Sequence, residues 1–89
     1  MTYVKRLILD VLKPHTPNVL EFTRQLAEQG NLNVKLSVLE MDDKTETLQI
    51  VIEGENIDFE RIQQAITDNG ASLHSIDEVE ILGELTEAE

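Results

Sequence analysis

Four segments of this chain alternate apolar and polar residues, and two segments between them repeat apolar residues at helical spacing. Alternation with a period of two is typical of a β-strand with one buried face, and spacings of three and four residues are typical of an amphipathic helix. The order along the chain is strand, helix, strand, strand, helix, strand. Because this order contains the βαβ plan twice, it restricts the chain to very few folds.

The first strand shows the alternation most clearly. Leu7, Leu9 and Val11 occupy every second position within the predicted strand Val4–Lys13. A short polar turn joins the next two strands, which are therefore expected to form a hairpin. The other predicted strands are Leu32–Met41, Glu46–Glu53 and Ala71–Leu82.

The two helices are predicted from their capping residues. Thr16 is expected to be the N-cap of the first helix, with Pro17 at the first helical position and an end near Gln29. Asn56 or Asp58 caps the second helix, which stops at an Asn-Gly pair. Because parallel crossovers are right-handed, these elements predict an α+β, ferredoxin-like βαββαβ two-layer sandwich. Its antiparallel sheet has the order 4-1-3-2, with both helices on one face.

The length of 89 residues suits one domain, which we expect over residues 1–83, followed by an acidic tail at 84–89. The chain contains no cysteine, which excludes disulfides and thiolate chemistry. No segment has signal-peptide features, so a cytoplasmic protein is expected.

The net charge of −11 arises entirely in the second half of the chain. Residues 1–45 carry six bases and six acids, whereas residues 46–89 carry twelve acids and Arg61 as their only base. Nucleic acids and anionic membranes attract basic proteins, so this balance disfavours both as partners. It favours cations, basic partners or the neutral half of a second subunit.

The sheet face that the helices leave uncovered is predicted to be partly apolar. Contiguous apolar area on a small domain usually meets a partner, although scattered surface apolar residues are an alternative explanation. We therefore predict a homo-oligomer that associates through this face or through the edge strands, two and four. The apolar residues expected on the uncovered face are Ile8, Leu12, Leu39, Met41, Val51 and Ile76.

Two polar groups are candidates for a binding site. His74 is expected opposite Asp10 on the uncovered face, either as a structural cross-strand pair or as part of a divalent-cation site with Asp77 and Glu78. No catalytic triad is predicted, because His74 and its serine and aspartate neighbours are expected on alternating faces of the strand.

The second group lies at the mouth of the first crossover. Lys13 and His15 could assist an anionic ligand at the helix N-terminus, or could simply belong to a rigid capped turn.

Three blocks of sequence resemble domain-of-unknown-function family 211, a set of short, mostly archaeal proteins. They are RLILDVLKPH at 6–15, VIEGENIDFE at 51–60 and SLHSIDEV at 72–79. The resemblance extends from Tyr3 to about Ile81 and implies a ferredoxin-like fold and homo-oligomers, but no reaction. The polar positions to which it draws attention are Asp10, Lys13, His15, His74, Asp77 and Glu78.

These observations rank three function classes. A self-associating module without catalytic activity or a defined cofactor comes first. A regulatory domain that binds a small ligand or a divalent metal ion comes second. An enzyme comes last, because no pair of polar residues has a spacing that requires chemistry.

Overall fold

The computed structural model of the chain describes residues 1–85. Its elements are β1 (Thr2–Pro14), α1 (Val19–Ala27), β2 (Asn33–Met41), β3 (Thr45–Glu53), α2 (Phe59–Asp68) and β4 (Ser72–Gly83). The strands form one antiparallel sheet in the order β2-β3-β1-β4. The predicted ferredoxin-like fold and the order 4-1-3-2 are confirmed. Most of the predicted acidic tail, residues 86–89, lies outside the described residues.

The core lies between the sheet and the helices because every element turns its apolar side toward the same layer. The central strands β1 and β3 pair from Arg6–Glu53 through Pro14–Thr45 and supply most of the buried sheet residues. Burying one such side chain contributes about 1.5–3 kcal/mol. The buried apolar residues are Leu7, Leu9, Val11, Phe22, Leu26, Leu48, Ile50, Ile52, Ile57, Ile62, Ala65, Ile66 and Ala71.

Side-chain caps fix where the helices begin. Asn18, and not the predicted Thr16, is the N-cap of α1, because its side-chain oxygen accepts a hydrogen bond from the Glu21 amide at 2.8 Å. Asp58 caps α2, which decides between the two predicted residues. Asn56 instead accepts a hydrogen bond from the backbone of β1.

The helices are much shorter than the sheet. α1 has nine residues and α2 has ten, so each is about 14–15 Å long. β4 has 12 residues, which corresponds to about 40 Å. The helix layer therefore covers only part of the sheet, and β4 is exposed from Ile76 to Gly83. Neither helix in the described part of the chain is long and apolar enough to cross a membrane.

Two bulges change which side chains of β4 face the helices, so that every third residue does so instead of every second. The register with β1 shifts at His74 and again at Asp77, and each of these is the extra residue of a bulge. As a result Leu73, Ile76 and Val79 all lie opposite buried residues of β1, on the helix side of the sheet. The prediction that Ile76 lies on the uncovered face is wrong, because strict alternation fails at each bulge.

A third bulge changes the end of β2. The register shifts between Val38 and Glu40, which leaves Leu39 as the extra residue. Met41 therefore lies opposite Glu46, and both are on the helix side of the sheet. The predicted position of Met41 on the uncovered face is wrong for this reason.

The turn after α2 requires a glycine. Gly70 has a φ of +77°, which costs a residue with a β-carbon about 1–2 kcal/mol. Gly70→Ala should therefore lower the free energy of unfolding by about that amount in a denaturant titration. Gly83→Ala is the matched control, because its added β-carbon would meet nothing within 4 Å. Equal stability of both variants would contradict this explanation.

Candidate functional site

The predicted pair between His74 and Asp10 is present on the uncovered face. His74 Nδ1 lies 3.1 Å from Asp10 Oδ2, although the Cα partner of Asp10 is Ser75. The His74 side chain is 79% exposed, so solvent screens the pair and its effect on stability is small. With Leu12 and Thr47, the two residues line a pocket of about 210 Å³.

The other predicted metal ligands do not join this pair. Glu78 Oε2 accepts a hydrogen bond from Arg6 Nε at 2.7 Å, and Asp77 Oδ1 accepts one from the Ser75 hydroxyl at 2.7 Å. Among residues 1–85, no group of three or more His, Cys, Asp or Glu side chains is placed to bind a metal ion. The polar side chains of this region are therefore held in separate hydrogen-bonded pairs.

The reason for expecting no triad on β4 needs correction. His74 and Ser75 do not lie on opposite faces, because His74 contacts Asp10 and Ser75 is the Cα partner of Asp10. The bulge at His74 brings the two residues to the same side of the strand. The Ser75 hydroxyl donates to Asp77 and not to His74, so this arrangement does not activate the serine as a nucleophile.

A buried ionic cluster lies at the C-terminal end of β1 on the helix side of the sheet, and it includes both predicted ligand residues. The Lys13 side chain is completely buried and donates to Glu46 Oε1 at 3.1 Å and to the Pro14 carbonyl at 2.7 Å. Its ammonium also lies 6.0 Å from the centre of the Phe22 ring, near the limit of a cation–π interaction. Lys13 is therefore used inside the protein and is not open to an anion.

His15 joins this cluster to the hairpin turn. Its Nδ1 lies 3.0 Å from Glu46 Oε2, and its Nε2 lies 2.9 Å from the Asp42 carbonyl oxygen. Both ring nitrogens therefore face acceptors, which suits an imidazolium because only that form donates from both nitrogens. No buried side-chain nitrogen or oxygen in residues 1–85 lacks a hydrogen-bond partner. The cluster is complete without a ligand.

The pKa values of His15 and Glu46 shift in opposite directions. The hydrogen bond with the Glu46 carboxylate, and then that with the Asp42 carbonyl, raise the pKa of His15 above its ordinary value. The hydrogen bond from His15, reinforced by Lys13, lowers the pKa of Glu46 although burial opposes this. Glu46 is not among the site residues predicted from the sequence. Its alternation with Leu48 places it on the helix side and could have revealed it.

A second pocket was not predicted. It has a volume of about 590 Å³ and opens where the loop after α1 meets the loop before α2. Its wall carries three amides, two carboxylates and one guanidinium, which belong to Gln29, Asn31, Asn56, Glu55, Asp58 and Arg61. Such a mixture can bind a small polar molecule through hydrogen bonds.

The most exposed apolar side chains of the sheet lie along its two edges. The β4 edge row consists of Ile76, Val79 and Ile81, which are 45%, 50% and 54% exposed. The β2 edge row consists of Val38 and Met41, which are 41% and 62% exposed. Both rows lie on the helix side, because their cross-strand partners pack against the core or point toward the helices. The rows are apolar surfaces that the short helices do not reach.

The predicted interface residues are distributed differently. Ile8 and Val51 lie opposite each other on the uncovered face and are half-buried by their neighbours. Leu12 is exposed on the same face, and Leu39 is exposed in the bulge of β2. Apolar exposure is therefore greater along the edges than at the centre of the uncovered face.

The family of this chain follows from its sequence as well as from its fold. Residues 5–89 match the profile of domain-of-unknown-function family 211, which is described as "Uncharacterized ArCR". The chain belongs to this family. It is also 41% identical over 80 residues to an uncharacterized protein of Methanocaldococcus jannaschii, covering 89% of this chain and 82% of that protein. Neither description assigns a reaction.

The geometry of His15 predicts a pH-dependent stability. Because the folded protein raises the pKa of His15, its stabilising effect is complete below the ordinary value of 6.5 and disappears as the pH rises through the folded pKa. Wild type should exceed His15→Gln in free energy of unfolding most clearly near pH 6, with a smaller difference at higher pH. Denaturant titrations across this range measure the difference, and a constant difference would contradict the assignment.

Proposed function

We propose that this family 211 protein is a non-catalytic module that forms homo-oligomers through the edges of its sheet. The observation that carries the proposal is the β4 edge row, Ile76, Val79 and Ile81, whose side chains are about half exposed on the helix side of the sheet. Apolar side chains along an exposed strand edge favour association with another strand.

The polar residues support the same proposal indirectly. The polar clusters around Asp10 and around Lys13 are occupied by internal hydrogen bonds. Catalysis requires a side chain that is free to act on a substrate, together with a second side chain that activates it. The edges of the sheet, in contrast, carry both exposed apolar side chains and the backbone groups of edge strands that can pair with another strand.

One observation favours a second function, which is the binding of a small ligand. The pocket of about 590 Å³ has amide side chains, the carboxylates of Glu55 and Asp58, and Arg61 in its wall. A regulatory domain that binds a small polar molecule there is the alternative. Native mass spectrometry distinguishes the two functions, because a bound molecule would add a stoichiometric mass to each subunit.

Sedimentation and native mass spectrometry at micromolar concentration should find assemblies larger than the 10.1 kDa monomer. Val79→Glu should reduce them to folded monomers, because the carboxylate would have to be buried in an apolar interface. Leu12→Glu is the matched control, since Leu12 is 43% exposed but lies on the central strand β1, on the uncovered face. A wild-type monomer, or equal effects of both variants, would refute the proposal.

A further inference from the structure

The two edges of the sheet are complementary in direction. Because each strand is antiparallel to its neighbour in the order β2-β3-β1-β4, β4 is antiparallel to β2. A second copy placed beside the first in the same orientation would therefore bring its β2 antiparallel to β4 of the first. The helices of both copies would lie on the same side, so the helix-side residues of β2 would meet the β4 edge row.

The bulges determine which part of β4 is available. The first half of β4 is interrupted at His74 and Asp77, and bulges are a common protection of edge strands against pairing. From Glu78 to Gly83 the strand itself carries no extra residue. β2 is likewise regular from Asn33 to Val38. The two regular stretches have six residues each, which is enough for a strand pair.

The charges of the edges favour pairing between different edges. β4 carries Asp77, Glu78 and Glu80 without a base, and β2 carries Lys35 and Glu40. Two copies of β4 side by side would place acids against acids, which is destabilising. Pairing β4 with β2 avoids this, and it also covers part of the β4 edge row with apolar side chains of β2 on the same side of the sheet.

One register places favourable side-chain pairs on both faces of the sheet. Lys35 lies on the uncovered face, opposite Val51, and Glu80 lies on the same face, opposite Arg6. If Lys35 of one copy lies opposite Glu80 of the next, then Leu36 lies opposite Val79 and Val34 lies opposite Ile81. The charged pair is on one face and the apolar pairs are on the other.

We propose that β2 of one copy pairs antiparallel with the Glu78–Gly83 stretch of β4 in a second copy, head to tail, with Lys35 opposite Glu80. This inference rests on the proposed self-association and specifies its geometry. A head-to-tail contact uses two different surfaces of each subunit, so the assembly closes into a ring or continues as a fibre.

Two variants that each block one edge test this geometry. Val38→Glu blocks the β2 edge, because its carboxylate would lie opposite Asp77 in the proposed register, and Val79→Glu blocks the β4 edge, because its carboxylate would lie opposite Leu36. Each should be a folded monomer alone, as judged by circular dichroism and sedimentation. An equimolar mixture should form a 1:1 heterodimer, because one intact β2 edge and one intact β4 edge remain. Labelling one variant with ¹⁵N separates the two masses in native mass spectrometry.

The outcomes distinguish the two proposals. A monomeric wild type contradicts self-association itself. An oligomeric wild type in which Val38→Glu still associates, or in which the mixture yields no heterodimer, contradicts the head-to-tail geometry only. If either variant fails to fold, Leu39→Glu on β2 or Ile81→Glu on β4 replaces it.

Charge reversal tests the register. Lys35→Glu and Glu80→Lys should each weaken association at least about tenfold, because they place like charges together. The double variant should recover most of the loss, since each reversed residue then meets its reversed partner in the next copy. A double variant that is weaker than both single variants would contradict the register.

Discussion

The length of the helices determines what the sheet can bury. Two helices of nine and ten residues pack on strands of nine to thirteen residues, and a helix advances less than half as far per residue as a strand. The central strands β1 and β3 fill the core beneath them. The edge strands extend beyond this cover, so Val79 and Ile81 are apolar and exposed on the side that the helices should protect.

The polar residues have a different role in this fold. Lys13 and Glu46 lie opposite each other on the helix side of the central strands, where burial of either charge alone would be strongly unfavourable. His15 completes the cluster and connects the first crossover to the carbonyl oxygens of the hairpin turn. These residues hold the end of the sheet together through hydrogen bonds within one subunit.

The sequence was sufficient to predict the fold. The spacing of the apolar residues and the order of the strands and helices restrict the topology before any contact is known. The sequence was also sufficient to place His74 beside Asp10. It was not sufficient for the edges: a bulge adds one residue without a clear sequence signal, and each bulge moves the following side chains to the other face. Ile76 and Met41 were misplaced for this reason. The sequence alone suggests Lys13 as a ligand residue, because its partner Glu46 is distant in sequence.

Amide hydrogen exchange tests the edge-to-edge contact most directly. In the wild-type protein, the outward-facing amides of residues 33–38 and 78–83 should exchange slowly, and in monomeric Val79→Glu they should exchange much faster. Amides of the central strand β1 should differ little between the two proteins, since their hydrogen bonds lie within one subunit. Equal exchange at both edges in the wild type and the variant would contradict the account.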